Sequence, residues 1–161
     1  ATPGLWDTPS GKGGWTNQAF EKTAGSPWFY KAWYRERSGA SKGRSHPWLN
    51  QSEMSDILNC LLVYKGDSGS EPHLSQLDAN IPETWDQGKV REEATKYGGP
   101  ISAINGIPEI VYSNDGYTAK VYFETDKGRK EFDGGDFKHI FNLRSPGAIG
   151  VKSSLFNIMR K

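Results

Sequence analysis

The chain reads as α+β. Residues 51–64 place apolar side chains at helical spacing behind a capping residue. From residue 109 onward the apolar period drops to two, and Gly-bearing turns separate the alternating runs. Helices first, then a hairpin-rich antiparallel sheet with one short crossing helix, is the order of an α+β chain. At 161 residues it is one domain's worth of protein, residues 1–161. Residues 1–50 read as an aromatic loop-rich region, 51–100 as a helical region with an exposed insertion, and 101–161 as the sheet region.

The first 20 residues are rich in Gly, Pro, Ser and Thr, a surface-loop composition with Trp6 and Trp15 as anchors. A short helix is expected over 16–23, and residues 27–48 are irregular apart from a helical turn near Phe29 to Tyr34. Asn50 is a good N-cap, and Glu53 three residues on completes a capping box. Met54, Ile57, Leu58, Leu61 and Leu62 follow i, i+3, i+4, i+7, i+8, which predicts a helix over 51–64. Residues 65–88 read as a long polar connection, an exposed insertion. A second helix over 89–96 stops at Gly98-Gly99-Pro100. "EIVYS", "YTAKVYFET" and "GRKEF" read as strands, with Asn114-Asp115-Gly116 and Asp126-Lys127-Gly128 as hairpin turns. Asp136 is expected to cap a short helix through Leu143, and "SLFNIMRK" to close the chain as a last strand. Phe141, Leu143, Leu155, Phe156 and Ile158 are assigned to the core.

Composition excludes several classes of function. Twenty basic against nineteen acidic residues leave a charge of +1, which argues against a nucleic-acid binder driven by its overall field. No stretch of about 20 apolar residues exists, so no membrane span is expected. The single cysteine, Cys60, lies in the apolar run "DILNCLLVY" and reads as a small buried thiol. His46, His73 and His139 are widely separated and carry no metal-ligand spacing, so neither a metal nor another cofactor is expected. His46, beside Pro47 and Arg44, reads first as a hydrogen-bonded loop anchor. Among the carboxylates, Glu36 lies between Arg35 and Arg37, which favours its charged form, and Glu53 is accounted for by capping. Glu92 and Glu93 fall on a solvated helix, and Glu124 and Asp126 flank a turn. None reads as a catalytic acid.

The unusual stretch is residues 26–50, "SPWFYKAWYRERSGASKGRSHPWLN", with three Trp, two Tyr and one Phe beside five basic side chains. It suits a buried core, a nucleic-acid platform or a sugar-binding cleft. Trp and Tyr pair an apolar face with a polar tip, and with Arg they dominate recognition surfaces. Some of the rings are expected to cover the helix face of Met54 and Leu58, and the rest to line a cleft. Base stacking would use the same rings, but the near-neutral charge disfavours it.

The same segment, extended as "KTAGSPWFYKAWYRERSGASKGRSHPWLNQSEMSDILN", together with "GGDFKHIFNLRSPGAIGVKSSLFNI", resembles the C-terminal part of the stage II sporulation protein D family, the amidase-enhancer-like proteins, in a divergent branch. The most specific piece runs from Gly135 to Ile158: a [D/E]-F-[K/R] start, then F-x-L-R-[S/A]-P and a Ser-x-x-Phe segment. The resemblance weakens over 67–87. It implies a peptidoglycan lytic transglycosylase, which cleaves the β-1,4 bond after N-acetylmuramic acid, or a partner of amidases in wall remodelling. The family's catalytic Glu lies in a motif of the type YL-x-G-[V/I]-x-x-E-M-P, followed by ALKAQA-x-AARTY, and neither string occurs here. The family's metal-binding His and Cys positions are also missing. No catalytic residue is carried over, and the chain is expected to be the back portion of such a protein, beginning after the catalytic half.

The resemblance thus implies peptidoglycan glycan strands as ligand, an N-terminal catalytic segment or an amidase as partner, and an extracytoplasmic, envelope or secreted location. An autonomous carbohydrate-binding module and a single-stranded nucleic-acid binder are the alternatives. The candidate sugar contacts are Trp28, Tyr30, Trp33, Tyr34, Arg35, Arg44, His46 and Trp48, because loops on a rigid scaffold commonly carry binding residues.

Overall fold

The structure, a computed structural model, describes residues 49–160. Helix α1 spans Gln51–Gly66 and opens on a complete capping box: the Asn50 side chain accepts from the Glu53 N–H at 2.9 Å, and Glu53 Oε2 accepts from the Asn50 N–H at 2.8 Å. From Ser55 to Val63 every residue of α1 is buried, so the helix is wrapped on nearly all sides. That is more than the single apolar face read from Met54, Ile57, Leu58, Leu61 and Leu62, of which Met54 is only half-buried.

Residues 67–86 form a long connection with many exposed residues, tied to the body at a few buried points. They form two short 3-10 segments, Ser68–His73 and Leu77–Ala79, and they pack on the body, with Leu74 and Gln76 fully buried. The stretch is tied to the body by the Gln76 N–H, which donates to the Leu143 carbonyl at 2.9 Å, and it is braced internally. His73 stacks on Trp85 at 4.6 Å and 8°, and its Nδ1 lies 2.8 Å from the Glu83 carbonyl. Helix α2, Gln87–Ala94, begins two residues earlier than its pattern suggests because Asp86 caps it through the Lys89 N–H. A 3-10 turn, Thr95–Tyr97, follows and ends on left-handed Gly98. Val90 and Ala94 face the core, while Lys89 and Lys96 pair with Glu93 on the outside.

Strands β1 (Ile104–Tyr112), β2 (Thr118–Thr125) and β3 (Gly128–Asp133) form an antiparallel sheet in that order. Both predicted turns are present, with Gly116 at φ +81° and Gly128 at φ +80°. Val121, Phe123 and Phe132 point inward. On the outer face Arg129 binds Glu109 and Glu124 at 2.7 Å each and lies over the Tyr122 ring. Helix α3, Gly134–Arg144, crosses the covered face, and its Phe137 ring lies 5.6–5.8 Å from those of Phe123, Phe141 and Phe156. Its cap is Asp133, which accepts from the Gly135 and Asp136 N–H groups, rather than Asp136 itself.

The last expected strand is absent among the described residues: residues 151–160 run without a ladder. Side chains satisfy their backbone instead. Asn142 bonds both the N–H and the carbonyl of Val151, and Thr118 Oγ1 bonds both those of Phe156. Leu155 and Phe156 are nevertheless buried, as are Phe141 and Cys60, while Leu143 and Ile158 are partly buried against the core. Burial pushes the Cys60 thiol well above its usual pKa, with a smaller opposing pull from Arg144, which makes it a packing group rather than a nucleophile.

Candidate functional site

All eight sequence-derived contacts, Trp28, Tyr30, Trp33, Tyr34, Arg35, Arg44, His46 and Trp48, lie outside the described residues, as do Trp6, Trp15, Glu36 and the expected helix over 16–23. The described domain has a cleft of its own where that segment joins it. The cleft holds about 330 Å³ between the first turns of α1 and the start of α2, with Ser102 at its far side. Gln51, Ser52, Ser55, Asp56 and Asn59 line it from α1, and Gln87 and Arg91 from α2.

Helical geometry explains why these side chains share a wall. Ser52, Ser55, Asp56 and Asn59 stand at i, i+3, i+4 and i+7, one polar stripe on a helix whose other faces are apolar. The lining is thereby amide and hydroxyl, with the Asp56 carboxylate and the Arg91 guanidinium among them.

Each charged group in the wall has fixed partners. Asp56 accepts from Arg144 Nε at 2.7 Å and from Nη2 at 3.2 Å. The remaining Arg144 nitrogen donates to the Ser75 and Trp85 carbonyls at 2.8 and 2.9 Å. Burial works against the Arg144 charge, but neighbouring Cys60 and Asp56 hold its pKa above the ordinary value. Both Asp56 oxygens are thus occupied by Arg144. Arg91 donates to the Ile101 carbonyl and to Ser102 Oγ. Asn59 is spent likewise, its amide bonding both the N–H and the carbonyl of Ile101. Ser55 differs: it is 3% exposed, and its Oγ has no hydrogen-bond partner.

A second hollow of about 300 Å³ lies between the β1–β2 turn and the start of α3, lined by Tyr117, Asp133, Gly134 and Lys138 among others. Asp133 already occupies the α3 N-terminus, and Lys138 Nζ donates to the Lys152 carbonyl. His139 Nε2 sits 3.0 Å from Glu71 Oε1 at the surface. Among the described residues no group of three or more His, Cys, Asp or Glu side chains is placed to hold a metal ion, and no helix is long and apolar enough to cross a membrane.

Sequence reading missed the cleft. The apolar positions of α1 drew the attention, while the polar stripe running beside them, visible in "SEMSDILN", carried the signal. No family model, curated protein or solved structure matches the chain.

Proposed function

We propose that this domain recognises peptidoglycan glycan strands, as the C-terminal portion of an extracytoplasmic protein of the lytic transglycosylase type. The ring-rich segment ending at Trp48 leads within three residues into the first turn of α1, where the polar cleft opens. That adjacency carries the reading. Sugars offer C–H faces for Trp and Tyr rings, and hydroxyl and acetamido groups for Gln, Ser and Arg. The role is to grip rather than to cut, since the carboxylate in the cleft wall, Asp56, is held at both oxygens by Arg144.

The test is co-sedimentation of the whole chain with purified sacculi. The wild-type chain pellets with them. Trp33→Ala and Arg44→Ala weaken retention by about tenfold, the value of about 1.4 kcal/mol of lost contact, with little change in melting temperature. A wild-type chain that stays in the supernatant overturns the reading.

A further inference from the structure

We infer that residues 67–86 are a strap that lifts off the body as one piece while the rest of the domain stays folded. The inference is independent of the glycan reading. It starts from polar groups that the closed strap leaves without partners. Gln76 is fully buried, and neither its Nε2 nor its Oε1 has a hydrogen-bond partner. Asp78 Oδ1 and Thr84 Oγ1 on the same segment share that state, as does Ser145 Oγ beside Arg144. A buried polar atom without a partner has lost the bonds that water would give it, and opening restores them.

Little apolar burial opposes the opening. Leu74 is the segment's one fully buried apolar side chain, with Trp85 partly buried against the core. By contrast, α1 buries Ile57, Leu58, Cys60, Leu61, Leu62 and Val63. Few buried apolar contacts mark the part of a fold that opens first. The ties that hold the strap down are polar, and they fall on α3 and the turn after it. The Gln76 N–H donates to the Leu143 carbonyl at 2.9 Å, and the Gly147 N–H donates to Asp78 Oδ2 at 2.8 Å. Arg144 Nη1 donates to the Ser75 and Trp85 carbonyls, and His139 Nε2 lies 3.0 Å from Glu71 Oε1 at the surface.

Internal bonds make the segment one unit. The Trp85 N–H donates to the His73 carbonyl at 2.8 Å, the two rings stack, and His73 Nδ1 reaches the Glu83 carbonyl. Asp67, the C-cap of α1, and Asp86, the N-cap of α2, are its two ends. Opening strips Arg144, 2% exposed in the closed form, of its two carbonyl partners and leaves it to Asp56 alone. Asp56 stands in the wall of the α1–α2 cleft, so the strap sets whether the guanidinium behind that wall is covered.

The experiment is residue-resolved amide hydrogen exchange on the whole chain, read by NMR at several low urea concentrations. The Gln76 and Gly147 N–H groups, one on each side of the junction, report the lifting. Both exchange through the same opening equilibrium, about a hundredfold or more above that of Leu58 and Leu61 in α1. Their urea dependence is far shallower, because a local opening exposes little surface. Gln76→Met, which keeps the side-chain length and removes both unpartnered atoms, slows their exchange by about tenfold. Exchange of Gln76 and Gly147 at the α1 rate, with the α1 urea dependence, overturns the proposal. Unequal opening at the two sites overturns it too, as does unchanged or faster exchange in Gln76→Met.

Discussion

Arg144 joins three parts of the chain through one guanidinium. It holds Asp56 of α1 with two bonds, reaches Ser75 and Trp85 of the 67–86 segment with two more, and itself ends α3. A buried ion pair adds little over an apolar pair of the same volume, but removing one partner strands the other. Arg144→Ala is therefore expected to destabilise the whole chain by about 3–5 kcal/mol in urea denaturation. Asp56→Leu combined with Arg144→Met should recover most of that loss. A single-variant loss under about 1 kcal/mol would contradict this account of the pair. Arg144 is the Arg of the F-x-L-R-[S/A]-P motif, yet its partners were out of reach of local reasoning because Asp56 lies 88 residues away.

Elements whose signals are local were legible. The Asn50–Glu53 box, the two glycine turns and the alternation of Val121 and Phe123 depend on neighbours within a few positions, and each appears in the fold. Elements fixed by distant partners were not. "SLFNIMRK" has strand composition, but the backbone of Phe156 is claimed by a threonine side chain 38 residues away. Asp133 wins the α3 cap over Asp136 because the helix starts directly from the end of β3.

Thr118 is the hinge point of this arrangement. Its N–H donates to Ser154, its hydroxyl serves Phe156, and its carbonyl lies where a Cβ on Gly134 would sit, at 2.0 Å. Gly134→Ala should therefore cost about 1–3 kcal/mol, because backbone rather than a mobile side chain must give way. Gly135→Ala meets only the Asp133 carboxylate, at 3.0 Å, and should be close to neutral. Comparable melting temperatures for the two variants would contradict that packing. The candidate site divides in the same way. The ring-rich segment read from composition lies outside the described residues, whereas the polar stripe of α1 became a cleft wall only once α2 was set against it.

At the scale of the molecule, a three-stranded sheet is kept from being a marginal ribbon by α3 on one face and by the phenylalanine cluster between them. The opposite face is laced with the Arg129 and Lys120 ion pairs, and a net charge of +1 gives the whole no dominant field. Under the proposed glycan reading, recognition falls to local surfaces, the α1–α2 cleft and the ring-rich residues that precede α1 in the sequence. Amide chemical-shift mapping of the isotope-labelled whole chain, titrated with soluble glycan strands, tests this most directly. Shifts should concentrate at Gln51 to Asn59, Gln87 to Arg91 and Ser102, and on the indole N–H groups of Trp28, Trp33 and Trp48. Shifts confined to the outer sheet face around Tyr122 and Arg129, or none at saturating glycan, would contradict it.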